Sequence, residues 1–146
     1  MSVNFKQFSK EIEDMKSLIK DEIADTIKDV GIEIVSALLE PKGVGGTPKR
    51  TGWLRANYTI TLNTPKTGTV GSQKSVTTTQ RDNLISAFKN AKTDVILKAD
   101  RIIINNSVPY GEVVNDGTDK QPPQNFIEKS TQRGLRRLNK KRIIGK

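Results

Sequence analysis

Between Asn4 and Leu39, apolar residues stand at Phe5, Phe8, Ile12, Met15, Ile19, Ile23, Ile27, Val30, Ile34 and Leu38. The steps are of three or four residues, the spacing of one long helix, or two collinear ones, with a single buried face. Lys6, Lys10, Glu11, Glu13, Asp14, Lys16, Lys20 and Asp21 fill the remaining faces. Asn4 suits an N-cap, and Gln7 occupies the third helical position of a capping box. Run without a break, such a helix is roughly 50 Å long at 1.5 Å per residue, more than the width of a small domain. Gly31 is its weak point. Two outcomes stay open: the helix bends at Gly31 and buries its stripe within one chain, or part of the stripe packs on another chain.

The chain of 146 residues is of a size for one domain, residues 1–146. It holds neither cysteine nor histidine. Disulfides and thiolates are therefore excluded, and the commonest general base and metal ligand are missing together. No cofactor or metal is expected, and no enzyme activity. No apolar run approaches the roughly 20 residues of a membrane span, and no secretory signal is visible. The formal charge of +9 suits a surface that attracts polyanions, or one that only stays soluble.

Residues 41–49, P-K-G-V-G-G-T-P-K, lack the G-K-[ST] end of a phosphate-binding loop and read as a hinge. Thr51 is placed to cap a short turn that turns Trp53 and Leu54 inward and Arg55 outward. Tyr58, Ile60 and Leu62 then alternate with Thr59, Thr61 and Asn63, a half-buried strand. Residues 64–80, with Lys66 and Lys74, read as an exposed hairpin or flexible loop. That loop is either a segment that orders on a partner or a tolerated insertion. Arg81 to Lys92 carries Leu84, Ile85, Phe88 and Ala91 on one helical face. Asp94 to Lys98 and Arg101 to Asn105 read as two further strands.

Val108 to Ile127 is too rich in Pro, Gly, Asn and Asp for one regular element. Tyr110, Val113, Val114, Phe126 and Ile127 make it too well anchored for a slack linker. Pro109 suits the first turn of a short helix. Asn115-Asp116-Gly117 is a turn signal, and Pro122 and Pro123 lead into a last helix near Asn125. Phe126, Ile127 and Leu138 are the core candidates of that helix, and Gly134 weakens it. Its basic residues are Lys129, Arg133, Arg136, Arg137, Lys140, Lys141, Arg142 and Lys146, with no acidic residue among them. A basic helix should thus fray into a tail at residues 139–146.

Glu112, Asp116 and Asp119 cluster in this stretch, but without EF-hand spacing, and capping and turn formation account for them. A two-carboxylate hydrolase depends on spatial distances that sequence does not supply. Aromatic residues are few, and no stacking surface, recognition helix or zinc finger is apparent. Sequence-specific nucleic-acid recognition is not expected. Non-specific contact through phosphates is, with Lys66, Lys74, Arg133, Arg136, Arg137, Lys140, Lys141 and Arg142 as the candidate DNA or partner contacts. Removing Arg133 onward should separate a nucleic-acid-binding protein, which would lose affinity, from a purely structural one.

Two segments carry a resemblance. T-P-K-R-T-G-W-L-R-A-N, Thr47 to Asn57, resembles the T-P-x-x-T-G-x-L-R-x-S segment of the tailed-phage tail-completion or head–tail joining family of neck and minor tail proteins. V-P-Y-G-E-V-V-N-D-G-T followed by Q-P-P-Q-N-F-I is similar to that family's second segment, v-P-Y-A-x-x-v-E-x-G-T with a Pro-containing approach to F-[IL]. The matched residues are Thr51, Gly52, Leu54, Arg55, Pro109, Tyr110, Gly117, Thr118 and Phe126, with an architectural role implied for each. Asn115 or Asp116 stands where Glu or His often precedes the Gly, and residues 64–92 make a longer excursion. The resemblance implies an α+β fold, with a long N-terminal helix on a small, mostly antiparallel sheet and a C-terminal helix. It also implies a virion structural protein, assembled in the host cytoplasm, that forms a ring, by expectation a hexamer, at the head–tail interface. That ring would join the tail tube to the head-side connector around the DNA channel. The alternative is a non-specific basic nucleic-acid-binding protein.

Overall fold

The computed structural model describes residues 4–40, 46–48, 52–69 and 78–140. In chain order these form α1 (Phe5–Leu39), α2 (Trp53–Ala56), β1 (Tyr58–Leu62), α3 (Thr78–Lys89), α4 (Thr93–Lys98), β2 (Ile102–Asn106), α5 (Gly111–Asp116) and α6 (Phe126–Lys140). The fold is α+β. β1 and β2 pair antiparallel, with Tyr58 opposite Asn106, Ile60 opposite Ile104 and Leu62 opposite Ile102. That register sets Ile60, Leu62, Ile102 and Ile104 on one face of the sheet.

α1 is one helix across Gly31. Asn4 caps it, its side-chain oxygen accepting from the Lys6 and Gln7 N–H groups at 3.2 and 3.3 Å. Gln7 does not complete the box, since its side chain donates to Glu11 instead. Gly31 serves packing: a Cβ there would lie 2.7 Å from Cε1 of Phe88. The C-terminal half of α1 packs chiefly along α6, and also against α3, α4 and β2. The N-terminal half does not pack. Every residue from Asn4 to Leu18 is exposed, including Phe5 at 77% and Met15 at 61%. Of the two outcomes open from sequence, the helix does not break at Gly31, and the first part of its stripe is not buried within the chain.

The core has two parts. Leu38, Leu54, Tyr58, Val108 and Phe126 form one, flanked by Trp53, Tyr110 and Val114. Ala24, Phe88 and Ile96 form the other, with Ile27, Ile60, Leu62 and Ile102 packed against them. Each large side chain buried this way contributes about 1.5–3 kcal/mol.

Three expectations are corrected. Residues 94–98 are not a strand but helix α4, so the sheet has two strands and not three. An apolar triplet does not distinguish strand from helix. Here the helix lets Ile96 enter the core and Leu97 pack against it while Val95 stays 46% exposed. Asp94 lies in its first turn, favourable to the helix dipole, and the Thr93 hydroxyl donates to Asp21 Oδ1 at 2.8 Å. Next, α3 begins at Thr78 and so takes the end of the expected 64–80 loop. Residues 64–69 are exposed as expected, and residues 70–77, with Lys74, lie outside the described set. Finally, Arg55 does not point outward. Its Nε donates to the Thr47 carbonyl at 2.7 Å and its Nη2 to the Glu40 carbonyl at 2.9 Å, which holds a cation on the C-terminal end of α1.

Candidate functional site

The residues that matter most converge on a joint between α2, β1, α5 and α6. Gly52 stands before α2 at φ 86°, in the left-handed region that favours glycine. The chain thereby turns so that Leu54 enters the core at 4% exposure. Asn106, at the end of β2, donates from Nδ2 to the Leu54 carbonyl at 2.6 Å and accepts the Val108 N–H at 3.1 Å. Val108 to Gly111 is a turn closed by the Gly111 N–H on the Val108 carbonyl at 3.0 Å. Pro109 fits its second position, and Tyr110 takes φ −94°, ψ 1° in its third, as a type I turn requires. Pro109 therefore builds the turn before α5 and is not in the first helical turn. The Tyr110 ring lies 5.6 Å from Trp53 at 57°.

Asn115 fastens α5 to α6. It is 2% exposed. Its Oδ1 accepts the Ile127 N–H at 3.0 Å, and its Nδ2 donates to both Glu128 oxygens at 3.0 and 3.1 Å and to Asp116 Oδ1. Its carbonyl accepts the Gln124 and Asn125 N–H groups at 3.0 Å. Asn115 thus caps the start of α6 from a distant part of the chain. Between them, Gly117 adopts φ 81°, and a Cβ there would lie 2.6 Å from the Pro123 nitrogen. Thr118 and Gln121 exchange backbone hydrogen bonds at 2.7 and 3.1 Å. The diproline does not enter α6. The helix opens after Asn125, which tolerates φ 51° and whose carbonyl accepts the Lys129 N–H.

A cleft of about 560 Å³ opens beside this joint. Ile34, Leu38 and Ile104 are among its apolar lining, and Glu112, Asp116 and Glu128 are its carboxylates. A smaller groove of about 260 Å³ shares Ile34, Ile102 and Ile104 with it and continues along α1 to Thr26. Tyr58 also lines the cleft. Burial pushes its phenol up to about 12, against the opposing hydrogen bonds to Thr47 and Asn106 and the nearby Arg55 cation. The hydroxyl is therefore protonated at neutral pH and shares a 2.8 Å hydrogen bond with Thr47 Oγ1. Desolvation lowers the Arg55 guanidinium from its ordinary value. Among the described residues, no group of three or more Asp and Glu side chains is placed to hold a metal ion.

The matched residues of the two segments do meet. Leu54 and Phe126 share one core cluster, and Gly111 approaches Leu54 so closely that a Cβ there would lie 3.1 Å from Leu54 Cδ1. Thr51 lies outside the described residues. The candidate cations do not form one group of free charges. Arg133 forks to Glu33 of α1 and to Glu40, its C-cap residue, at 2.5 Å each, and these carboxylates, Glu40 foremost, raise its pKa. Arg136 and Arg137 are exposed on α6, and Lys66 is exposed after β1. Lys141 and Arg142 lie outside the described residues, as does the side chain of Lys140.

Sequence reasoning missed Thr47, Asn106 and Asn115. Thr47 is fully buried and accepts from Arg55 while its N–H donates to the Leu38 carbonyl. Its signal was the Thr-Pro that opens the first segment. Asn115 was legible only as a turn residue, because its partners lie 12 and 13 positions on. Among the described residues no helix is long and apolar enough to cross a membrane. Compared with protein-family models, curated proteins and solved structures, the chain matches none.

Proposed function

We propose that this chain is a structural subunit of a tailed-phage virion. It would form a ring at the head–tail interface that joins the tail tube to the head-side connector and surrounds the DNA channel, without enzymatic chemistry. The observation that carries this reading is the convergence of the described residues of the two family-like segments, 47–57 and 108–127, on one joint. There Leu54, Tyr110, Gly117 and Phe126 pack, turn and brace. Roles of that kind fit an architectural motif. The exposed, unburied end of α1 also suits a subunit whose contacts are completed by other chains.

The second reading, a non-specific nucleic-acid-binding protein, is favoured by the +9 charge and by exposed Arg136 and Arg137. Quantitative mass spectrometry of purified virions separates the two. A low, fixed copy number, about six or twelve as a closed ring requires, is expected. Complete absence of the chain from finished particles would overturn the structural assignment.

A further inference from the structure

Among the described residues, β2 has β1 on one side and no strand on the other. The Asn63 N–H donates to the Arg101 carbonyl at 2.9 Å, which fixes the phase of the ladder. Thr61 then bonds with Ile103 and Thr59 with Asn105, while Ile102 and Ile104 turn their N–H and C=O groups outward. Among the described residues these four groups have no hydrogen-bond partner. An open edge of this kind is a template for one more strand. Beside it runs the groove of about 260 Å³, lined by Ile102 and Ile104 of β2, by Ile27, Val30 and Ile34 of α1, and by Leu138 near the end of α6. The five isoleucine and valine side chains are half-buried, and Leu138 is 40% exposed. The edge thus combines unpaired backbone with accessible apolar surface.

The residues that follow α6 are placed to use it. α6 starts at Phe126, which shares a cluster with Leu38 and Leu54, at the end of β2 where Asn106 bonds Leu54. It reaches Leu138 beside Thr26 and Ile102. A segment that turns back after Lys140 therefore passes β2 in parallel. Parallel strands need a crossover of a dozen or more residues, usually helical, and α5 and α6 supply one. Residues 141–146, K-R-I-I-G-K, span at most about 20 Å, enough to turn and to pass Ile102 and Ile104. Ile143 and Ile144 are β-branched and suit a strand. Charge agrees at the turn. Glu33, Asp29 and Asp25 recur every four residues along α1, and Glu33 already pairs with Arg133 of α6. Lys141 and Arg142 extend the basic series of α6 in the same direction, and residues 129–146 contain no acidic side chain.

We propose that residues 141–146 return along β2 as a third, parallel strand that pairs with the outward backbone groups of Ile102 and Ile104. One of Ile143 and Ile144 enters the groove against Ile27, Val30 and Ile34. The other lies beside Ile103 on the opposite face, because neighbouring side chains of a strand alternate. The segment closes an edge that would otherwise pair with a strand of another chain. The contact is independent of the ring reading.

Amide exchange followed by NMR reads the pairing directly in the full chain. The Ile102 and Ile104 amides should exchange at least tenfold faster in the Ile143→Asp, Ile144→Asp double variant than in the wild type, while amides in the packed half of α1 keep their rates. Equal rates at Ile102 and Ile104 would overturn the proposal. The absence of native cysteine allows a second test. Ile103→Cys, at a half-buried site, is combined in turn with Ile143→Cys and with Ile144→Cys, and each double variant is treated with a short bis-maleimide. One of the two should form a cross-link within a single chain, identified by peptide mass spectrometry. Cross-links only between chains would mean that the edge takes a strand from another copy, and their complete absence would mean that the segment does not reach β2. Either result overturns the proposal. Circular dichroism and thermal melting check that each variant is folded. None of these outcomes bears on the virion copy number, so this contact and the ring reading fail separately.

Discussion

Tyr58 sets its phenol in the core, where burial holds the pKa near 12 against an ordinary value of 10.0. The folded state thus keeps a proton that the unfolded chain releases. Stability from this group is fully present below about pH 10 and is lost as pH rises from there toward about 12, by about 2–3 kcal/mol in all. Tyr58→Phe should cost about 1 kcal/mol at neutral pH through the lost bond to Thr47. It should also flatten the alkaline decline measured by urea unfolding between about pH 10 and 12. An equal alkaline decline in both proteins would show that Tyr58 is not its source. Tyr58 also marks what sequence reveals at this scale. Its alternation with Ile60 and Leu62 is enough to place a strand, but its partner Thr47 lies 11 residues back, across a loop that gives no periodic signal.

At the scale of elements, the crossing of α1 and α6 decides the packing. Phe126, Ser130 and Gly134 recur every four residues and are the buried positions among the described side chains of α6, so the small residues let the two helices approach. A Cβ on Gly134 would collide with the Ile34 side chain and lie 3.2 Å from the Val30 carbonyl. Gly134→Ala therefore opposes two effects: about 1 kcal/mol gained in helix propensity and about 1–3 kcal/mol lost to overpacking. The backbone carbonyl cannot yield as a side chain can, so overpacking wins, and chemical denaturation should show a net loss of about 1 kcal/mol. A stabilised variant would mean that Ile34 and Val30 yield to the added methyl group. From sequence, Gly134 was only a weakness in a helix, because its reason sits on α1, a hundred residues away. The same limit explains α4, where Val95-Ile96-Leu97 suits strand and helix equally until Ala24 and Phe88 are in place. The long helix, β1, β2 and the last helix were legible because each carries its own period and its own breakers.

At the scale of the molecule, positive charge and helix packing are interleaved, which changes how the DNA-binding alternative should be tested. Deleting from Arg133 onward is no clean experiment. It would remove the Arg133 fork to Glu33 and Glu40 and the Gly134 contact with α1, and so confuse lost charge with lost packing. Arg136→Gln with Arg137→Gln removes two exposed charges and should leave the melting temperature nearly unchanged, since exposed sites away from packing contribute little to stability. If α6 grips a nucleic-acid backbone through both residues, the slope of log K against log salt should shrink by about 1.8 on duplex DNA, with a large loss of affinity at low salt. For a ring subunit, binding by the isolated wild-type chain should stay in the non-specific range, Kd of about 10⁻⁴–10⁻⁶ M at physiological salt. The double variant should then fold normally and show its defect only in particles, as reduced assembly or genome retention. Tight binding by the free chain, lost with these two arginines, would move the protein to the nucleic-acid-binding class. An intact fold with a defect confined to assembly would place the charge of α6 on the wall of a channel.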